Sequence, residues 1–225
     1  MIPALPRLLQ LASPALPVGA YTYSQGLEWA VEVGTVHDEA SAQRWIGHLL
    51  AHNLGCYELP TLGRLMAAWE VGDIAAVRAL DARYLASRET AELRAESLQM
   101  GHSLRRLLGE LGGVPASLID RVGEIEQPAF ITIWSGVATT WKIAPPDALA
   151  AWVWSWAENQ TMAAIKSVPL GQAAGQRTLL AVGDRIGALV AAALTQDETD
   201  DSNFAPGFSI ACACHETQYS RLFRS

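Results

Sequence analysis

The chain of 225 residues has few charged side chains, and charged residues make up 17% of it. Typical soluble domains carry about 25%. Because so few charges leave part of the exterior apolar, we expect another protein to cover some of the surface. The net charge of -7 argues against binding to nucleic acid or to anionic lipid through bulk electrostatics.

Disulfide, export and common enzyme signals are also missing. Three cysteines are an odd number in a long chain, and polar residues break the short apolar patch near the amino terminus. The most hydrophobic run, 148–157, is about half of the roughly 20 residues that span a bilayer. No phosphate-binding loop, nucleophile elbow or dinucleotide fingerprint occurs. We therefore expect free thiols and a cytoplasmic location.

Apolar residues recur at helical spacing along nearly the whole chain. Between Ala42 and Leu50 they follow the i, i+3, i+4, i+7 and i+8 pattern, after a potential N-cap at Asp38. Stretches that alternate as strands do are almost absent. The pattern predicts an all-α fold, a single-domain helical bundle of about ten helices over residues 1–225.

Two segments interrupt or end this helical body. Residues 196–204 form an acidic loop with four carboxylates, which we interpret as a solvated linker. Residues 216–225 form a C-terminal tail that combines large apolar side chains with arginines, a composition enriched at protein interfaces. Its members of this kind are Tyr219, Arg221, Leu222, Phe223 and Arg224. The tail is expected to dock on a partner or on its own helical body, and both interpretations remain open.

Two clusters contain residue types that bind transition metals. The first contains His48, His52 and Cys56, and the second contains Cys212, Cys214 and His215. Imidazole and thiolate suit nickel and zinc. Each cluster also fits an ordinary structural role, as polar residues at the edge of a helix or as buried cysteines beside a hydrogen-bonded histidine.

Five tryptophans crowd two neighbouring predicted helices: Trp134, Trp141, Trp152, Trp154 and Trp156. At helical spacing Trp152 and Trp156 share a face, while Trp154 points away. A helix with tryptophan on both sides is either wholly buried or packs its outer face on another subunit. We hypothesise a homodimer seam here or nearby.

Polar residues near both ends of the chain allow structural and interface roles. Ser24 is a potential N-cap, and Glu28 then lies in a first turn, where a carboxylate favours the helix dipole. Alternatively, an exposed Tyr and Glu present an anchor and a charge to a partner. Gly171 and Gly175 lie one turn apart, which favours a close helix crossing or a contact surface for a partner.

Three segments of the chain have a distinctive sequence: residues 13–28, SPALPVGAYTYSQGLE; residues 166–176, KSVPLGQAAGQ; and residues 215–225, HETQYSRLFRS. In this order they resemble the amino-terminal block, the internal block and the C-terminus of the UreF family of urease accessory proteins. Length and helical pattern agree, so the resemblance covers essentially the whole chain.

The resemblance implies a non-enzymatic protein, commonly a homodimer in the cytoplasm, that supports maturation of the nickel enzyme urease. It implies binding to the accessory protein UreD, called UreH in some organisms, and recruitment of the GTPase UreG. The complex acts on apo-urease to promote GTP-dependent nickel insertion. No cofactor would be bound intrinsically, since the complex handles nickel and UreG binds GTP.

The same resemblance supplies candidate partner-binding residues from the three blocks. They are Tyr23, Gln25 and Glu28; Lys166, Pro169, Gln172 and Gln176; and Tyr219, Arg221, Leu222, Phe223 and Arg224. Lys166 stands where many relatives carry Arg, so the charge is kept while the bidentate fork is lost.

The residues also permit an alternative, a small all-helical metalloenzyme built on one of the two clusters above. That function requires three or four convergent ligands together with an acid or base of shifted pKa. The sequence offers scattered pairs.

Overall fold

Residues 4–225 are described by a computed structural model, and within that range the chain is helical with no β-strand. The α-helical segments are α1 (Ala4–Leu11), α2 (Leu27–Glu32), α3 (Glu39–Leu49), α4 (Leu59–Val71), α5 (Ile74–Ala86), α6 (Ala91–Leu111), α7 (Ala116–Gly123), α8 (Phe130–Thr140), α9 (Pro145–Ser167), α10 (Gln172–Thr195) and α11 (Pro206–His215). A π-helical segment, Leu50–Glu58, joins α3 to α4 without a break. In the part of the chain that the structure describes, the segments therefore form ten separate helices, which confirms the predicted all-α fold.

Side-chain caps set the ends of several helices. The Asp38 carboxylate accepts a hydrogen bond of 2.7 Å from the Ser41 main-chain N–H and caps α3, as the sequence predicts. Asp73 caps α5 and Thr90 caps α6 in the same way. Gly72 ends α4 with a φ of 74°, a conformation that glycine adopts without steric cost.

The tryptophan-rich region is mostly core. The Trp134 ring on α8 is buried and meets the Trp152 ring edge to face, with 5.3 Å between their centroids. Trp134 Nε1 donates to the Leu11 carbonyl at 3.3 Å, which ties α1 to the bundle. Trp141 is buried too, whereas Trp154 on α9 is 40% exposed. Trp154 is therefore the tryptophan of this region that could contact a second subunit from the outer side of α9.

A close helix crossing joins α9 to α10. A Cβ atom added at Gly175 would lie 2.5 Å from Ile165 Cδ1 and 3.3 Å from Thr161 Cγ2, closer than side-chain atoms normally pack. The internal crossing expected from the glycine spacing is therefore present at Gly175. Gly171 faces open space, and a Cβ there would meet no atom within 4 Å.

The helix α10 is, within residues 4–225, the one helix long and apolar enough to cross a membrane by length and composition. The sequence shows no uninterrupted apolar run of that length, because Asp184 and Arg185 lie within α10. The helix nevertheless continues through both residues, so the expectation that no segment could span a bilayer is corrected. Core helices of helical bundles can be equally long and apolar, and 28% of the apolar window of α10 is buried. Here Val182, Val190 and Ala193 pack in the main core.

The acidic loop is fastened to the bundle and is not the solvated linker expected. The Asp201 side chain is buried and accepts hydrogen bonds from Arg64 at 2.6 Å and from Arg83 at 3.0 Å. Gln196 donates at 2.9 Å to a carbonyl of the π-helical segment. Residues 197–200 between these anchors are exposed. Spacing alone did not show that two arginines from α4 and α5 would converge on one carboxylate.

Candidate partner-binding site

The C-terminal tail folds back on the amino-terminal block. The main-chain oxygen of Ser225 accepts hydrogen bonds from the Ser24 hydroxyl at 2.7 Å and from the Gln25 N–H at 2.9 Å. The Arg224 N–H donates to the Thr22 carbonyl at 2.8 Å. Ser225 is buried, so the last residue is tied down by backbone hydrogen bonds where most termini are loose.

Glu28 is the main acceptor for the tail. Its Oε1 accepts the Leu222 N–H at 2.7 Å, and its Oε2 accepts the Phe223 N–H at 3.0 Å. The short helix α2 places this carboxylate in its first turn, behind Gly26 at φ 74°. A Cβ at Gly26 would lie 3.0 Å from Cys212 Sγ, so glycine allows both the turn and the contact with α11. Two tail amides are thereby paired with a buried charge.

The exposure expected for Tyr23 and Glu28 is corrected, whereas Tyr21 in the same block is 63% exposed. Glu28 is 7% exposed and Tyr23 is 4% exposed, because the tail and α9 cover them. Asn159 on α9 donates to the Tyr23 carbonyl at 2.9 Å. Neither side chain is presented to solvent as an anchor or a charge. Any contribution they make to partner binding passes through the tail that they hold.

A second carboxylate links α11 and the tail to α6. His215 is fully buried, with Nδ1 2.7 Å from a Glu92 oxygen and Nε2 3.3 Å from a Glu28 oxygen. Glu92 also accepts from Arg221 at 2.6 Å. The His215 ring therefore lies between two carboxylates, and Arg221 adds a positive charge at the outer one. Through these contacts the end of α11, at His215, and the tail, at Arg221, are both attached to α6.

The tail has one buried anchor and an exposed outer side. Phe223 is 7% exposed and packs in a small cluster with Leu27, Ala163, Ala164 and Val168. The Lys166 ammonium lies 5.7 Å from the centre of the Phe223 ring, within cation–π range. Tyr219 is fully exposed and Leu222 is 74% exposed. The tail therefore docks on its own helical body through Phe223 and still exposes the large side chains of Tyr219 and Leu222.

The internal block lies beside this anchor. Lys166 and Pro169 are exposed, and Val168 between them packs under Phe223. Gln172 and Gln176 are exposed on the first turns of α10. Arg221 and Arg224 on the tail are exposed as well. The structure therefore brings parts of all three blocks together around the tail, although they are far apart in sequence.

A buried glutamate on α6, Glu96, contacts both the amino-terminal block and the tail. It accepts hydrogen bonds from Gln25 Nε2 at 2.8 Å and from Ser225 Oγ at 3.2 Å. Burial and, to a smaller extent, the nearby Glu58 carboxylate raise the pKa of Glu96 to about 7, against the lowering effects of Gln25, Ser225 and Arg88. Burial therefore favours the protonated form of the carboxyl that supports the tail.

Next to Glu96 lies a cleft of about 260 Å³ with aromatic walls that include Phe130, Trp134 and Trp152. Its lining includes a buried ion pair between Arg88 and Glu58 at 2.8 Å. Sequence reasoning missed Glu58, Arg88 and Glu96. They lie in the π-helical segment, in the loop between α5 and α6, and on α6, with no motif spacing. The available signal was the pair of carboxylates, Glu58 and Glu96, at otherwise apolar helical positions.

The first cluster of metal-binding residue types is only partly assembled. His48 and His52 are exposed, with 6.2 Å between their ring centroids. The Cys56 thiol instead donates to the Ala51 carbonyl at 3.1 Å. Within residues 4–225 no group of three or more His, Cys, Asp or Glu side chains is placed to hold a metal ion.

The second cluster is also divided. Cys212 is buried, and burial raises the pKa of its thiol, which disfavours the thiolate that binds metals. His215 is engaged by two carboxylates, as described above. The three-ligand sets that a metalloenzyme would need are therefore not formed among the described residues.

Comparison with known proteins shows the family of this chain. A family model described as UreF matches residues 36–183, more than half of the chain. The chain belongs to the UreF family of urease accessory proteins. A urease accessory protein UreF of Dechloromonas aromatica (strain RCB) is 59% identical, covering 98% of this chain and 97% of that relative. Relatives of the same name in Azoarcus sp. (strain BH72) and Azotobacter vinelandii are 57% and 46% identical.

These relatives bear on the choice between an enzyme and a non-enzymatic protein. They are named as accessory proteins, and both of those last two cover 97% of this chain. Membership of the UreF family therefore supports a role in urease maturation over the metalloenzyme alternative.

Replacing Glu28 with Ala should release the tail while the helices stay folded. Two amides and His215 lose their acceptor, a loss of about 1–3 kcal/mol in the free energy of unfolding. Hydrogen exchange at the Leu222 and Phe223 amides should accelerate, and the helical circular dichroism should hardly change. Glu32→Ala, one turn later on the exposed side of α2, is the matched control. Unchanged exchange at both amides in Glu28→Ala would contradict this account.

Replacing Glu96 with Gln should change how stability depends on pH. A carboxyl whose pKa is raised on folding makes the folded state bind more protons, so wild-type stability falls as pH rises from about 4.5 to about 7. Gln stays neutral, and its stability relative to wild type should increase between pH 5 and pH 8. Thermal unfolding at several pH values measures this difference. Glu110→Gln, on the exposed face of the same helix, should show no such trend.

Proposed function

We propose that this chain is a non-enzymatic assembly factor that binds UreD, called UreH in some organisms, and recruits the GTPase UreG onto apo-urease. In that complex it promotes GTP-dependent insertion of nickel. The observation that carries the proposal is the anchored tail, which holds Tyr219 and Leu222 in solvent on a backbone fixed by Glu28. Nickel is the cargo of the complex, and GTP belongs to UreG.

The outer side of the tail has the composition of an interaction hot spot. Tyr and Arg are enriched among residues that dominate binding energy, and Tyr219, Arg221 and Arg224 are exposed together on the tail. Because the backbone is already ordered, binding does not have to order it, which lowers the entropic cost of association. Lys166 and Pro169 extend the exposed surface next to Phe223. We take this combined surface as the binding site for UreD or UreG.

A homodimer is part of the same proposal. The outward side of α9 and α10 exposes Trp154, Leu180 and Leu194, with Leu180 at 69%. A Cβ at Gly183 would lie 3.9 Å from the Trp154 ring, so Trp154 and this side of α10 form one apolar surface. Large exposed apolar surfaces mark association sites. We place the contact with a second copy on this surface.

The three cysteines are free thiols. Free thiols are the usual state in a reducing compartment. This supports a cytoplasmic location, where the proposed partners would assemble.

Replacing both Tyr219 and Leu222 with Ala should abolish or strongly weaken co-purification with UreD or with UreG. Both side chains point to solvent, so the melting temperature should change little. A pull-down with each partner, with and without GTP and nickel, measures binding. Val71→Ala, which removes another exposed apolar side chain at the end of α4, is the control. Full binding of the double variant to both partners would overturn the assigned surface.

Replacing Leu180 with Asp should separate the dimer. A charge placed in an apolar contact must be desolvated without a partner, which disfavours association. Light scattering at micromolar concentration should report two chains for wild type and one for the variant. A wild-type mass of one chain across that range would remove the dimer from the proposal.

A further inference from the structure

Two histidines on one helical run remain unexplained by the surface described above. His48 is in the last turn of α3, and His52 lies four residues later in the π-helical segment. Their rings are 6.2 Å apart between centroids and stand at 61° to one another. Both residues are exposed. Two imidazoles at this separation can turn their ring nitrogens toward one shared ion by small side-chain rotations.

The change from α-helix to π-helix between the two residues favours this pairing. In an α-helix the residue four positions on lies about 40° further round the axis. A π-helix closes its hydrogen bonds over five residues, so the chain turns less per residue. The helix changes type at Leu50, between the two histidines. His52 is thereby brought more nearly into line above His48. Two histidines four apart on one helical face are the arrangement that zinc proteins use.

The other histidines of the chain have different surroundings. His37 is bonded at 3.0 Å to the Gly34 carbonyl, and His215 lies between two carboxylates. His102 is exposed on α6. Among the described residues, 4–225, the rings of His48 and His52 make no hydrogen bond to another part of the chain and form the one histidine pair in ring contact.

We propose that His48 and His52 form a two-imidazole chelate for a late first-row divalent cation. Imidazole nitrogen suits nickel, copper and zinc, and affinity rises from manganese to copper along that series. Two protein ligands leave the remaining coordination positions to water, so the ion is held loosely and exchanges readily. The choice of Ni²⁺ as the ion met in the cell rests on the proposed function, whereas the chelate itself rests on the two rings.

Binding of NiCl₂, and separately of ZnCl₂, to the tag-free full chain tests this by isothermal titration calorimetry and equilibrium dialysis. Wild type should bind one ion per chain at this site. His48→Ala and His52→Ala should each weaken binding about tenfold or more, since even changes in residues behind metal ligands cost that much. In nuclear magnetic resonance spectra, paramagnetic Ni²⁺ should first broaden the ring protons of these two histidines.

His102→Ala is the matched control, because it removes an exposed imidazole that has no second histidine beside it. It should leave binding of the ion unchanged. Equal affinity in wild type and in the double variant His48→Ala/His52→Ala would overturn the chelate, as would first broadening at His102. Both measurements use the isolated chain, so their failure is distinct from loss of UreD or UreG binding in the pull-down.

Discussion

The arrangement of the candidate site depends on a single buried carboxylate, that of Glu28. It accepts two consecutive amides of the tail, at 2.7 and 3.0 Å, and lies 3.3 Å from His215. A buried charge is stable only when it is paired or hydrogen-bonded, so this carboxylate and the tail require each other. Ionised acceptors also form the stronger hydrogen bonds. The position of Phe223, and with it the outward direction of Leu222, follows from this contact.

The tail contact joins parts of the molecule that would otherwise be separate. Glu92 on α6 extends it to Arg221, and Glu96 extends it to Ser225. Phe223 packs against Ala163 and Ala164 and so joins the tail to α9. The residues that the family resemblance selected are thus divided by role. One set is buried and holds the tail, and the other set is exposed on its outer side.

Much of the fold could be predicted from the sequence, because helix formation depends on local spacing and local caps. Asp38 caps a helix as expected, and the Trp134 region is core. The π-helical segment was not predicted, since its apolar spacing resembles that of an α-helix. The direction in which Glu28 points was not predicted either, because its partner amides are 194 and 195 residues away. For the same reason the sequence does not predict that two arginines bind Asp201.

The distance along the chain between the two halves of this joint has a consequence for synthesis. Ser24 and Ser225 are in contact across 201 positions. A ribosome therefore finishes almost all of the helical body before the segment that completes the surface has emerged. Until residues 222 and 223 are present, the Glu28 carboxylate lacks the two tail amides that it accepts in the folded chain. The ordered position of Leu222 is thus set late in synthesis, by a contact of long sequence separation.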